Sequence, residues 1–322
     1  MSIQIKEVTN KQELKAFVMF PIELYKDCKY YVPQLISQEM KTLDKDINPS
    51  FEVCETKLWL AYDNGKVVGR IAGIIHKPFI EKWGNRYARF GWFDFIDNED
   101  VANALLQTVE TWAGENGMEA IHGPLGFTDF DPEGVLIEGF SELSTIVERY
   151  NYPYYACYLE KNAYYKDADW VEYEVEIPAK LPEKFLKVSD FVQRKQNLKI
   201  ANLKSIRDVL PYVDEIFSII NNIYGLMYGF TPVSEKQTDF YLRQYLKLLN
   251  PEFVSIVLDK NNKVVAFGVT IPSYSKAFQK SKGKLFPFGF YHLQKANRKN
   301  DTIDMYFIGI RPDFINKDVL AV

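Results

Sequence analysis

A strand–turn–strand pattern occurs twice in this chain and constrains its fold more than any other feature. The first copy runs Lys57-Leu58-Trp59-Leu60-Ala61-Tyr62, turns at Asp63-Asn64-Gly65-Lys66, and returns as Val67-Val68-Gly69-Arg70-Ile71-Ala72-Gly73. The second runs Glu252-Phe253-Val254-Ser255-Ile256-Val257-Leu258, turns at Asp259-Lys260-Asn261-Asn262-Lys263, and returns as Val264-Val265-Ala266-Phe267-Gly268-Val269. Asp/Asn/Gly turns between β-rich runs predict antiparallel hairpins. The same unit met again far beyond any solenoid period predicts two related domains. The 322 residues agree, since a domain takes roughly 150.

Hydrophobic residues make up 47% of the chain, enough for two cores without a disulfide scaffold. Cys28, Cys54 and Cys157 are odd in number and form no CxxC or metal-ligand pattern, so each reads as a small buried side chain in a reduced, cytoplasmic protein. The net charge of −4 gives no global attraction to nucleic acid or to an anionic membrane. No apolar run approaches the ~20 residues of a membrane span, and Met1 to Glu7 lack the apolar core of a signal peptide. The 21 Tyr and 23 Phe call for large aromatic surfaces. A cluster such as Tyr150-Asn151-Tyr152-Pro153-Tyr154-Tyr155 serves to seal domains together or to line a cleft.

The order of elements also repeats. A strand over Ser2 to Val8 precedes a helix over Lys11 to Lys26, capped by Thr9 or Asn10, which Pro21 ends or kinks early. The hairpin Lys57 to His76 and a strand over Tyr87 to Ile96 follow. Asp97 or Asn98 then caps a helix over Glu99 to Asn116, with Val101, Leu105, Val109 and Trp112 at helical spacing and Gly117 as its stop. A strand over Glu119 to His122 leads into the loop Gly123 to Gly134. Val171 to Leu181 alternate like a strand and end in a boundary zone marked by Pro178 and Pro182. A basic helix covers Glu183 to Asn197, after which the order restarts. It runs through a strand over Lys199 to Leu203, helices over Ser205 to Tyr224 and Ser234 to Leu249, the second hairpin, an insert over Ser273 to Asn300 and a strand over Thr302 to Ile310. Hairpins mixed with a crossover give an α/β (α+β) fold.

This order resembles the GNAT fold of acyl-CoA N-acyltransferases. The first 160 residues are similar to uncharacterised bacterial proteins with tandem GNAT-like domains. Tyr30-Tyr31-Val32-Pro33-Gln34-Leu35, Asn48-Pro49-Ser50-Phe51, Val68-Gly69-Arg70-Ile71-Ala72, Phe90-Gly91-Trp92-Phe93 and Gly123-Pro124-Leu125-Gly126-Phe127 carry the likeness, extended by Gly134 to Phe140 and Tyr150-Asn151. The resemblance implies two GNAT-like domains, over 1–175 and 176–322. It also implies a splayed strand whose backbone receives the pantetheine arm of acetyl-CoA or another acyl-CoA, and a following helix N-terminus that receives the pyrophosphate. In the second half those positions are Ile308, Gly309, Ile310, Arg311, Asn316 and Lys317. The family's glycines are replaced there by Ile315, Asn316 and Asp318, and Asp313 and Asp318 repel phosphate. In the first half the stretch Phe93-Asp94-Phe95-Ile96-Asp97-Asn98-Glu99-Asp100 is acidic where phosphate would sit, so that domain reads as having lost CoA.

Other chemistry is sparse. His76, His122 and His292 form no zinc motif, and no GxSxG, Walker A or GxGxxG occurs. Asp304 and Tyr306, two apart on the strand that precedes the pyrophosphate loop, point to one face and make a candidate base and a candidate acid or water anchor. His122, Asp129, Asp131, Glu133 and Tyr150 are candidate substrate-binding residues at the Gly123 to Gly134 loop, the alternative being that the loop acids solvate a turn and cap a helix. Lys276, Lys280, Lys282 and Lys284 with Phe278, Phe286 and Phe288 suit nucleic acid or, as the preferred reading, a solvated lysine-rich loop. The resemblance implies acyl transfer to an amine of a small molecule or peptide, with neither nucleic acid nor membrane as partner. A non-catalytic ligand- or peptide-binding protein, or a relative of the aminoacyl-tRNA-dependent peptidoglycan transferases, are the alternatives. A GNAT domain continues past the crossover that ends this sequence, so a second domain incomplete at its C-terminus, belonging to a longer protein, is expected.

Overall fold

The computed structural model describes residues 3–246 and 248–322. Met1 and Ser2, where the expected first strand begins, and Lys247 in the expected helix over Ser234 to Leu249, lie outside the described residues. Two compact units emerge: Met1–Asp169 with Tyr274–Ala296, and Trp170–Ser273 with Asn297–Val322.

The first unit contains β1 (Gln4–Glu7), α1 (Lys11–Leu24), α2 (Ile36–Thr42), the hairpin β2 (Cys54–Asp63) and β3 (Lys66–His76), α3 (Lys77–Trp83), β4 (Tyr87–Phe95), α4 (Glu99–Glu115), β5 (Ala120–His122) and α5 (Tyr154–Lys161). Its sheet has the order β1-β2-β3-β4-β5, antiparallel throughout except for the parallel pair β4–β5. Asn64 and Gly65 both take positive φ, as a two-residue hairpin turn requires. The Asn10 side chain accepts the N–H groups of Gln12 and Glu13 and starts α1. Pro21 does not break that helix: it lacks a donor, but its carbonyl still accepts the Tyr25 N–H at 2.9 Å and its ring is buried. The apolar stripe of α4 (Val101, Leu105, Val109, Trp112) packs with Trp59, Ile71, Phe93 and Phe95 on one face of the sheet. Leu14, Phe17 and Val18 of α1 pack with Leu58, Leu60, Ala72 and Ile74 on the other. Helices therefore cover both faces.

The second unit contains α6 (Glu183–Gln196), β6 (Lys199–Ile200), α7 (Val213–Ile223), α8 (Glu235–Tyr245) and the hairpin β7 (Val254–Leu258) and β8 (Val264–Pro272). The segment after β8 returns to the first unit, where it forms α9 (Ser275–Ser281) and most of α10 (Gly289–Arg298), and β9 (Ile303–Ile310) follows in the second. The sheet is antiparallel in the order β6-β7-β8-β9. Ile216, Ile219 and Ile220 of α7 pack with Ile256, Leu258, Val264 and Phe267, while Val192 of α6 packs with Val257, Val265 and Phe314.

Two expected elements differ. The helix expected from Ser205 starts only at Val213, because Pro211 confines the preceding residues to short 3-10 turns. Val171 to Leu181 form no strand: the alternation supplies a face but no neighbouring strand, and Val171, Tyr173, Val175 and Ile177 stay exposed. Among the described residues no helix is long and apolar enough to cross a membrane.

Candidate functional site

In the first unit, polar side chains converge on an irregularity in β4. Arg70 pairs with Asp94 while Ala72 pairs with Gly91, so Trp92 and Phe93 stand opposite Ile71 and β4 carries one extra residue, and Trp92 has a φ of 44°. Such a bulge re-aims the side chains around it. Beside it lies a cleft of about 470 Å³, open mouth included, lined by Tyr31, Gln34, Glu39, Trp92, Asp94, Glu148, Arg149 and Tyr150 among others. Arg70 Nε donates to Asp94 Oδ2 at 2.8 Å, Arg149 lies 3.2 Å from Oδ1, and the Tyr25 hydroxyl donates to Oδ1 at 3.3 Å. Burial alone would raise the Asp94 pKa, but the Arg149 and Arg70 guanidiniums more than offset it and hold the carboxyl below its ordinary range. Trp92 Nε1 donates to Glu39 Oε2 at 3.0 Å, and burial raises the Glu39 pKa.

Sequence reasoning gave no site role to Glu39, Arg70 or Arg149, and took Asp94 for part of an acidic stretch that would repel phosphate. The available signal was the lone charge in Phe93-Asp94-Phe95, since a carboxylate in an apolar strand needs a cationic partner.

The outer edge of β4 is satisfied by the unit's own groups. β5 pairs only with Tyr87 to Arg89. Beyond it, the Leu125 N–H donates to Phe90 O at 2.8 Å and Arg149 donates to Phe93 O. The Phe95 N–H donates to the Tyr155 hydroxyl at 3.2 Å, and the Tyr154 hydroxyl donates to Phe95 O at 2.6 Å. At the start of α4, Asn98 accepts the Val101 N–H, Asp97 accepts the Tyr158 hydroxyl at 2.7 Å, and Glu99 pairs with Lys161 at 2.5 Å. Backbone groups suited to a pantetheine arm, and a helix end suited to phosphate, are thus taken up by aromatic, amide and acidic side chains. These residues do not fit a CoA chain.

The loop Gly123 to Gly134 brings part of the expected substrate set together. Asp131 turns inward, its Oδ2 accepting the N–H groups of Phe127 at 2.8 Å and Thr128 at 3.2 Å, and burial pushes its pKa up to about 7. Asp129 and Glu133 interact with buried Arg89, and burial raises both pKa values, with Asp129 adding to the effect on Glu133. Arg89 itself donates to the carbonyls of Gly126 and Phe127 at 3.0 and 3.3 Å, which fixes it as the loop's anchor. His122 packs its ring against Phe79 and Tyr87, and burial followed by Arg89 lowers its pKa to about 4, so it is neutral at pH 7. Tyr150 lines the β4 cleft, to which Pro132 of this loop also contributes, and donates to Phe140 O at 3.2 Å.

In the second unit β9 is the edge strand of its sheet, and it too carries a bulge. Val269 pairs with Phe307 and Thr270 with Met305, leaving Tyr306 as the extra residue. The bulge interrupts the two-residue alternation that put Asp304 and Tyr306 on one face. Asp304 is buried, and burial pushes its pKa up to about 6 against a hydrogen bond with Ser273. Ile308 is exposed, with its carbonyl accepting the Tyr224 hydroxyl at 3.1 Å. A Cβ at Gly309 would meet the Phe267 ring at 2.5 Å, so this glycine serves close packing. Ile310 leads to Arg311, whose guanidinium contacts Asp313 at 2.7 Å, Asp259 at 3.3 Å and Val264 O at 3.2 Å, staying with the hairpin. Asn316 is exposed and Lys317 Nζ lies 4.0 Å from the Phe314 ring centroid. The residues after β9 form the 3-10 turns Pro312–Phe314 and Val319–Ala321. β9 is thus an edge strand whose Ile308 carbonyl is held by Tyr224, and the short turns after it build no phosphate cradle.

No protein-family model matches the chain. Among curated proteins it is similar to protein YghO of Escherichia coli K12, at 28% identity over 290 residues, covering 90% of this chain and 73% of the relative. It is also similar to a bacterial ceramide synthase of Caulobacter vibrioides, at 24% identity over 297 residues, covering 90% of this chain and 75% of that one. A tandem GNAT protein from the clavulanic acid biosynthesis pathway superposes over 99% of this chain and 82% of its own, with a TM-score of 0.50 at 9% identity. A GCN5-related glucosamine N-acetyltransferase region of a fungal multi-domain β-N-acetylglucosaminidase superposes over 99% of this chain and 32% of that one, with a TM-score of 0.52 at 11% identity. With its two sheets, its two hairpins and these neighbours, the chain is by fold a tandem GNAT-like protein, built on the acyl-CoA N-acyltransferase architecture.

Proposed function

We propose that this chain is an N-acyltransferase that passes the acyl group of acetyl-CoA or a longer acyl-CoA to an amine. The second unit is the acyl-CoA unit, and the first keeps the fold without that ligand. The observation that carries this reading is the contrast between the two bulged strands. β4 spends its outer edge on three side chains, Arg149, Tyr154 and Tyr155, while β9 ends its sheet beside a buried carboxylate and gives the Ile308 carbonyl to Tyr224.

The outer edge of β9 near Ile308 and Ile310 would receive the pantetheine arm once Tyr224 gives up the Ile308 carbonyl, with Lys317 and Asn316 the nearest groups to the phosphates and Arg311 kept by its two aspartates. The thioester supplies an activated acyl carbon. The chain must remove a proton from the incoming ammonium, directly or through water, and Asp304 is the base assigned to that step. With a pKa of about 6 it is ionised at neutral pH yet more basic than an exposed aspartate. Tyr306, at the bulge beside it, is assigned to hold a water or the departing thiolate.

The name of the ceramide synthase relative supports an amine carried on a lipid as the acceptor. Calorimetry with acetyl-CoA and longer acyl-CoAs tests the reading, alongside the same titration of Asp304→Asn. The expected result is binding to both proteins, with turnover lost only in the variant. An absence of heat with every acyl-CoA sinks it in favour of a non-catalytic binding protein.

A further inference from the structure

We infer that the segment Tyr274–Ala296 of the first unit docks the protein on a bilayer surface rich in anionic phospholipid. This inference is independent of the acyl-transfer reading. The chain carries a net charge of −4, but this segment holds Lys276, Lys280, Lys282, Lys284 and Lys295 and no Asp or Glu. All five lysines are exposed. Between α9 and the first turn of α10 the sequence Phe286-Pro287-Phe288-Gly289-Phe290-Tyr291 leaves its four aromatic side chains 81, 74, 59 and 63% exposed. Single exposed apolar residues are ordinary, but a contiguous group of large ones marks an interaction surface. A solvated lysine loop accounts for the cations and leaves the phenylalanines unexplained.

The group is held in place by the fold. Tyr274, Ala277, Phe278 and Leu293 are buried beneath it. The Gln279 amide donates to Lys29 O at 2.8 Å and Tyr31 O at 2.9 Å, and the Ile36 N–H donates to Gly283 O at 2.9 Å. Gly283 has a φ of 73°, and a Cβ there would meet Gln34 O at 2.7 Å, so only glycine lets the loop approach this closely. Aromatics are thereby presented beside fixed lysines.

Charge complementarity and side-chain chemistry choose the occupant. Phenylalanine inserts at the boundary of headgroups and acyl chains, while lysines pair with lipid phosphates. Single-stranded nucleic acid is met instead by aromatic faces spaced along a charged groove, whereas here the rings crowd one short loop around Pro287 and Gly289. The Tyr31–Gln34 stretch gripped by this segment also lines the β4 cleft.

Vesicle co-sedimentation of the full chain tests the proposal, using phosphatidylcholine vesicles with and without phosphatidylglycerol. The wild type is expected to sediment only with the anionic vesicles and to be released by high salt. The exchange Lys280→Gln with Lys284→Gln is expected to weaken partitioning by roughly thirtyfold, from about tenfold per 1.4 kcal/mol and ~1 kcal/mol per lysine. Phe286→Ser with Phe288→Ser is expected to weaken it by about tenfold or more. All four positions are exposed, so both double variants should keep the wild-type thermal transition. The proposal is overturned if the wild type stays in the supernatant, or if both variants sediment as it does. Binding of single-stranded RNA without vesicles, or wild-type self-association lost in the phenylalanine variant without vesicle binding, also overturns it.

Discussion

The hydroxyl of Tyr155 accepts the backbone N–H of Phe95 at 3.2 Å, so a side chain from α5 stands where a second strand or a ligand would otherwise pair with β4. The same hydroxyl lies 2.6 Å from that of Tyr25, and both reach Asp94. Tyr155→Phe removes one oxygen and leaves a buried N–H and a buried hydroxyl short of a partner. The expected cost is about 1–3 kcal/mol, read as a lower urea midpoint at unchanged slope. Affinity for acyl-CoA should not move. A loss of binding would assign the ligand to the first unit after all.

Asp94 is the charge that lets two arginines be buried. Asp94→Ala leaves Arg70 and Arg149 without their carboxylate, and breaking a buried pair from one side costs about 3–5 kcal/mol. The pH dependence has a definite sign. A carboxyl held below its ordinary pKa stabilises the fold at every pH above the unfolded value, and that contribution is lost as pH falls through the depressed folded pKa. Acid titration followed by near-UV circular dichroism should show the wild type losing stability there, and the alanine variant already low at pH 7.

The loop acids act in the opposite direction. Asp131, with a pKa of about 7, and Glu133, also raised, stay protonated in the fold at pH values where the unfolded chain has ionised them. Their contribution is complete below the ordinary carboxylate range and is lost as pH rises through the folded values. Stability should therefore fall between pH 5 and pH 8, at up to about 1.4 kcal/mol per pH unit for each group titrating. Asp131→Asn keeps an oxygen for the Phe127 and Thr128 N–H groups and should flatten part of that slope. Thermal melts across the range decide it.

What was legible in the sequence was what is local. The Asn64-Gly65 turn, the Asn10 cap and the Asp259 carboxylate that accepts the N–H groups of Asn261 and Lys263 each need only a few consecutive residues, so both hairpins and α1 could be read directly. The convergence of Arg70, Asp94 and Arg149 needs three distant segments to meet, and no periodicity reports that. Alternation at Val171 to Ile177 announces a face without supplying the strand that would pair with it. Whole-chain charge averages away the local excess of lysine near Phe286, and nothing local showed that this insert packs with the first unit. At the site, the candidate base Asp304 could be named from its strand position, but its burial and the bulge at Tyr306 depend on register.

That burial gives the proposed acyl transfer a measurable pH signature. A base must be ionised to accept the ammonium proton, so kcat/KM should rise through pH ~6 and level off, following the Asp304 carboxyl. Asp304→Asn should remove that limb and lower kcat by about 10² to 10⁴, the range typical of a lost general base. Stability separates this from misfolding. A carboxyl whose folded pKa is raised stabilises the fold below the unfolded pKa, and that contribution disappears as pH rises through about 6, so the wild type carries the cost of a buried carboxylate at pH 8. The asparagine variant carries no such charge and should melt no lower than the wild type at pH 8. A variant that is fully stable, binds acyl-CoA and still turns over at the wild-type rate would remove Asp304 from the mechanism.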